Sequence, residues 1–175
     1  TPIPDPNFTA SAIMRTSSIR AASNHGAEDQ ERRGLRVIAQ LARVLHSVED
    51  MGDFYNFALG RILEVVPAER GLLMRLDRKR KGLYIEAVKS AIPSRDDLTA
   101  RHMGISHTIA KRVLRDRVSV LVTDASLDDR FRDASSIQEL QVRSILCTPI
   151  WYQDKVSGLI YLDHMMHSYA FTESD

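Results

Sequence analysis

Cysteine is nearly absent. Cys147 is the single one in 175 residues, so no disulfide can close within the chain, which fits a reducing, cytoplasmic compartment. One thiol also excludes chemistry that needs an attacking and a resolving cysteine. Long apolar runs are missing too: none approaches the ~18 residues of a membrane-spanning helix, and no signal-peptide core stands near the start. Neither sign of charge is in excess. Lys and Arg number 24 against 23 Asp and Glu, a formal net charge of +1, which argues against a nucleic-acid face across the whole domain. No Gly-rich phosphate loop occurs, and no metal signature has persuasive spacing. His164 and His167 supply two ligands, which do not close a metal site, and read as an exposed loop. His102 and His107 have no haem motif around them. Asp128 and Asp129 read as capping and solvating carboxylates. The expectation is a protein that is not an enzyme, with no metal and no cofactor.

What is present is an ordinary globular balance, 43% apolar and 27% charged, enough for one core and short for two. The organising stretch is Val142 to Asp163. It reads as two strands joined by the polar turn Gln153-Asp154-Lys155. Ile145 and Cys147 point one way, Leu146 and Ile150 the other. Val156, Ile160 and Leu162 then share a face opposite Leu159 and Tyr161. Strands apolar on both faces belong at the centre of a sheet covered on each side. Pro149 cannot donate to a ladder, so a bulge or a gap in pairing is expected there, and Gly158 suggests a close approach to the backbone.

Around that hairpin the chain divides simply. Residues 1–28 carry Pro2, Pro4 and Pro6 and many small polar residues, and read as a flexible linker; Ile13, Met14 and Ile19 are the side chains able to dock. A helix is expected from Asp29 as cap, with Leu35, Ile38, Leu41, Ala42 and Leu45 at helical spacing. Leu35, Ile38, Ala42 and Leu45 also fit a short heptad seam, suited either to core packing or to a homodimer. Ser47 to Asp50 opens a second helix carrying Phe54, Phe57, Ala58, Ile62 and Val65 inward and ending before Pro67. Gly71–Asp77 and Leu83–Val88 read as a hairpin whose basic turn, Arg78 to Lys81, is a solvated loop. Residues 90–102 read as a flexible connection. Ser106 caps a helix with Ile109, Ala110, Val113 and Leu114 as its inner stripe. Val118–Val122 is a short strand. Ser126 to Phe131 is a polar loop, and Ser136-x-x-Glu139 a capping box opening a short helix. Thr172-x-x-Asp175 suits another helix start. With Thr at position 1, that ending suggests a fragment of a larger multidomain protein, with residues 29–175 as one domain. Hairpins at both ends require antiparallel pairing, so the expected fold is α+β, an antiparallel central sheet with helices on both faces.

Taken in order, these residues resemble a GAF domain, the small-molecule sensor module of bacterial signalling proteins. The resemblance covers about Leu35 to Asp175. It rests on Ala68-Glu69-Arg70-Gly71, Ile105-Ser106, Asp124 with Asp128-x-Arg130-Phe131, Val142 to Ile150, Gly158-x-Ile160-Tyr161-Leu162-Asp163 and Phe171. The combination is most similar to GAF domains upstream of ATPase-type transcription activators or of nucleotide cyclases. It implies a regulatory sensor controlling an attached effector, often dimeric through its outer helices and without direct nucleic-acid or membrane contact. The pocket it implies lies under the middle helix and the Asp124 to Leu140 excursion, where a long polar loop beside a two-faced sheet would form a lid. The lining residues expected there are Met74, His107, Asp124, Phe131, Ser144 and Tyr161. Phe131 would stack on a planar ligand, Ser144 and Asp124 would fix its polar edge, and Tyr161 would offer a hydroxyl; each could equally pack or cap. In cyclic-nucleotide-binding relatives an Asn-Lys pair follows the last strand. Here Asp163-His164 stands in its place, and an ion pair from His164 to Asp175 is weaker than one from lysine. A pure dimerisation or scaffold module without a ligand is the alternative reading.

Overall fold

The structure, a computed structural model, describes residues 13–14, 26–45, 49–79, 82–91, 104–127, 142–173 and 175. In chain order its elements are β1 (Ile13–Met14), α1 (Gly26–Leu45), α2 (Met51–Val65), β2 (Arg70–Asp77), β3 (Gly82–Ser90), α3 (His107–Asp116), β4 (Ser119–Val122), β5 (Ser144–Tyr152) and β6 (Lys155–His164). The strands form one sheet in the order β1-β4-β5-β6-β2-β3, and every neighbouring pair is antiparallel. This is the expected α+β architecture.

The β5–β6 hairpin lies inside the sheet, paired from Ser144 with His164 to Tyr152 with Lys155. Its side chains alternate as their spacing requires. Ile145, Cys147, Leu159 and Tyr161 join one buried cluster with α3. Leu146, Ile150, Ile160 and Leu162 face the other, under α2. Pro149 is tolerated because β4 pairs with β5 only over Ile145–Cys147, leaving no central ladder on that side. The register shift falls just after it, between Ile150 and Trp151. The close approach at Gly158 comes from β2: a Cβ there would lie 2.2 Å from the Met74 carbonyl oxygen.

Asp50 starts α2, its carboxylate accepting from the Gly52 N–H at 2.7 Å. Helix α2 turns Ala58, Ile62 and Val65 inward as expected, but Leu59, Tyr55 and Leu63 take the places expected of Phe54 and Phe57. Ala58 and Leu59 are its fully buried residues, with Tyr55, Ile62, Leu63 and Val65 packed around them. Phe57 lies outside that cluster, its ring under the Arg61 guanidinium at 5.4 Å. Gly71 sets this phase, since a Cβ on it would come within 2.9 Å of Leu59 Cδ1. Helix α1 begins at Gly26, earlier than the Asp29 cap expected. Within the stretch expected to be a linker, Ile13 and Met14 pair with Val120 and Ser119. The capping-box helix at Ser136–Glu139, the 92–103 connection, Arg80, Lys81 and Phe131 lie outside the described residues. Thr172 and Asp175 form half of a capping box, the Thr172 N–H donating to Asp175 Oδ2 at 2.7 Å. Among the described residues no helix is long and apolar enough to cross a membrane.

Candidate functional site

The α3 face of the sheet carries the candidate site. Its floor is Leu72 and Met74 from β2, Val120 and Val122 from β4, Ile145 and Cys147 from β5, and Leu159 and Tyr161 from β6. Its cover is the stripe Ile109, Ala110 and Val113. The sequence builds α3 locally: Ser106 Oγ accepts from the Ile109 N–H at 3.4 Å, and Arg117, in the left-handed region with φ 58°, closes the helix by donating to the Val113 carbonyl. Lys111, Arg115 and Asp116 are exposed on α3, while Arg112 is half-buried and lies 3.5 Å from Asp116, its i,i+4 neighbour.

Polar ties also hold the cover down. Arg70 is buried against Asp163, its Nε 3.1 Å from both carboxylate oxygens and its Nη2 on Oδ2. The same Nη2 donates to the Gly104 carbonyl at 3.2 Å. Two residues on, the Ser106 N–H donates to the Tyr161 hydroxyl at 3.4 Å. The segment leading into α3 is therefore fastened to β2 and β6 at both of these points. Burial works to lower the Arg70 pKa, but the hydrogen bond and charge of Asp163 outweigh it and hold the guanidinium above its usual range. Burial pushes the Asp163 carboxyl up, against the pull of Arg70. Burial also raises the Tyr161 hydroxyl, helped by the Asp163 charge, and raises the Cys147 thiol. Neither group ionises near neutrality, and Tyr161 is held as a neutral phenol.

Five of the six residues expected from sequence divide into three groups, and Phe131 lies outside the described residues. Met74 and Tyr161 sit together in the floor, both fully buried. His107 opens α3 with its side chain exposed. Asp124 and Ser144 fasten the segment after β6. Asp124 Oδ2 accepts from Ser168 Oγ at 2.6 Å and Oδ1 from the Ser126 N–H at 2.9 Å, while Ser144 Oγ donates to the His167 carbonyl at 3.0 Å. Desolvation acts to raise the Asp124 carboxyl, but the bonds from Ser126 and Ser168 prevail and hold it below the usual carboxylate range. Sequence reasoning did not single out Arg70, Asp163 or Ser106 as site residues, although all three belong to the motifs quoted for the family resemblance. His164 faces Glu69, and the Asp175 carboxylate accepts from the Thr172 N–H and hydroxyl. Among the described residues no three His, Cys, Asp or Glu side chains converge to hold a metal ion.

A family model for the GAF domain matches residues 50–175. The chain belongs to the GAF domain family. Solved structures with the same fold include free methionine-R-sulfoxide reductase from Neisseria meningitidis in complex with its substrate, with a TM-score of 0.60 at 15% identity, covering 90% of this chain and 86% of that one. The GAF domain of an Acinetobacter phosphoenolpyruvate-protein phosphotransferase is similar at a TM-score of 0.57 and 17% identity, over 87% and 84% of the two chains. The nlh2 GAF domain of A. Aeolicus in an inactive state gives a TM-score of 0.54 at 13% identity, over 77% and 81%. No curated protein gives a match. GAF domains are sensor and regulatory modules, and the reductase shows that the fold also carries enzymes.

Proposed function

We propose that this GAF domain is a non-catalytic, cytoplasmic sensor that binds a small molecule under α3 and controls an attached effector, a transcription activator or a nucleotide cyclase. The observation that carries the reading is the fastening of residues 104–106. The cover is held to the floor by hydrogen bonds from Arg70 and to Tyr161, and a ligand's polar edge can replace both. Such a ligand would lie over Met74 and Tyr161, with His107, Asp124 and Ser144 at the margins. Its binding would bias α3 and β4, and the change would reach the flanking helices. The one thiol is buried in the sheet, which supports a binding role over a reductase role. A thermal-shift screen with metabolites and cyclic nucleotides tests this. A ligand at about 100 times its Kd adds roughly 2.7 kcal/mol, a Tm rise of several degrees for a domain of this size. Loss of that rise in Tyr161→Phe supports the site, and a broad panel without any rise sinks it.

A specific observation favours a second role. On α1, Leu35, Ile38 and Leu45 are 59%, 62% and 51% exposed, whereas Val37, Leu41 and Val44 on the adjacent stripe are half-buried. The exposed stripe is the heptad seam expected from sequence, and a second copy paired through Leu35, Ile38, Ala42 and Leu45 would cover it. Ile38→Asp then leaves the fold intact and shifts sedimentation to the monomer. An unchanged sedimentation coefficient removes the seam.

A further inference from the structure

His164 ends β6 with one ring nitrogen facing two sets of partners that it cannot serve together. Its Nδ1 accepts from the Met166 N–H at 3.3 Å and from the His167 N–H at 3.2 Å. A nitrogen that accepts carries no proton, so in this arrangement the ring is neutral with its hydrogen on Nε2. The same Nδ1 lies 3.4 Å from Glu69 Oε2. Glu69 is a buried carboxylate, 5% exposed, and that same oxygen already accepts from the Met165 N–H at 3.0 Å. A lone pair and a carboxylate oxygen at that distance repel, while a proton between them makes a charge-assisted hydrogen bond.

We propose that His164 is a proton-operated clasp: neutral, it holds the turn after the last strand; protonated, it releases that turn and pairs with Glu69. The proton comes from solvent and no other group need change. The two backbone N–H groups lose their acceptor because Nδ1 has one site, occupied either by its lone pair or by hydrogen. Histidine is the side chain whose charge changes in the range where cells vary pH. Among the described residues the surrounding charges are few. Glu69 comes from the segment before β2, and the Arg70–Asp163 pair lies beside it on β2 and β6. The His167 ring stands edge-on at 4.7 Å. Arg143, before β5, offers His164 its backbone N–H, bonded to the His164 carbonyl at 2.9 Å, while its guanidinium is turned to Ser126 and Asp124. Glu69 is thus the group placed to accept the new proton's hydrogen bond.

The clasped turn is the way out of the sheet. It leads through Ser168, bonded to Asp124, and Tyr169, whose N–H donates to the Thr123 carbonyl, to the buried Phe171. Release would loosen that path without any small molecule, so this inference stands independently of the ligand reading.

The test is NMR on the whole 175-residue chain, scanned from about pH 8 to about pH 5. Ring nitrogen shifts at the alkaline end should report the Nε2–H tautomer of His164. As the ring titrates, exchange protection of the Met166 and His167 amides should fall about tenfold, the scale of one lost hydrogen bond, with the midpoint of the ring itself. In His164→Asn the amide oxygen can accept from the same two N–H groups and does not titrate, so protection should persist across the scan. A proton on Nδ1 at the alkaline end overturns the proposal, as does protection that ignores the ring's titration. Neither measurement needs the variant to fold.

Discussion

Arg70 and Asp163 lie 93 positions apart in the chain and meet at 3.1 Å, Nε to each carboxylate oxygen, with both side chains buried. Neighbouring strands bring them together, since Arg70 pairs with Asp163 in the β2–β6 register. A buried pair is dangerous to break by halves, because the survivor is left charged without a partner. Arg70→Met alone should cost about 3–5 kcal/mol in urea unfolding. Joined to Asp163→Leu, it should recover most of that loss. A single variant within about 0.5 kcal/mol of wild type would mean that solvent reaches the pair.

Two glycines should respond in opposite directions to alanine. At Gly158 the new methyl would meet the Met74 carbonyl oxygen at 2.2 Å, and that oxygen belongs to the backbone of the neighbouring strand and cannot step aside. Gly158→Ala should therefore destabilise by about 3 kcal/mol or more, at the upper end of overpacking effects. Gly34, inside α1, has nothing within 4 Å of the point where a Cβ would sit. There Ala should stabilise by roughly 0.5–1 kcal/mol through the helix backbone. Denaturant midpoints of the two variants check both signs.

The sheet was more legible than the site for reasons these residues make plain. In Val142 to Asp163 the side chains alternate with period two, so Ile145 and Tyr161 could be assigned to one face and Leu146 and Leu162 to the other. On α2 the apolar residues run around more than one face, and periodicity alone could not choose Leu59 over Phe57; Gly71, on another element, makes that choice. Arg70 and Asp163 carry no local mark of being partners, because opposite charges far apart in sequence pair only once strand order is known. Asp124 and Ser144 bond to serines and to backbone, and backbone acceptors are the same whatever residue supplies them. That Met74 and Tyr161 share the buried face under α3 follows from alternation within a two-faced sheet, which is a local rule.

Cys147 gives a chemical check on how tightly the centre of the sheet is closed. It is fully buried, and burial pushes its thiol up, so both access and thiolate are denied in the folded state. Alkylation of the native protein at mildly alkaline pH should proceed only as fast as the sheet opens, and at full speed in denaturant. Rapid labelling of folded protein would show that the face under α3 admits reagents through an existing channel.

Acid should release the fastening at Asp124, below the ordinary carboxylate range. Its folded pKa is depressed by the hydrogen bonds from Ser126 and Ser168, so the ionised form is the one the fold prefers. That contribution is complete above the unfolded carboxylate value of about 3.9 and is lost as pH falls through the lower, folded value. Between those limits the Tyr169 amide, which donates to the Thr123 carbonyl beside Asp124, should lose exchange protection while the amides of β5 and β6 keep theirs. Asp124→Asn should flatten this acid response and leave the behaviour of the Met166 and His167 amides at higher pH unchanged. If Tyr169 and the sheet lose protection together, the fastening has no titration of its own and Asp124 is one carboxylate among many in a global acid transition.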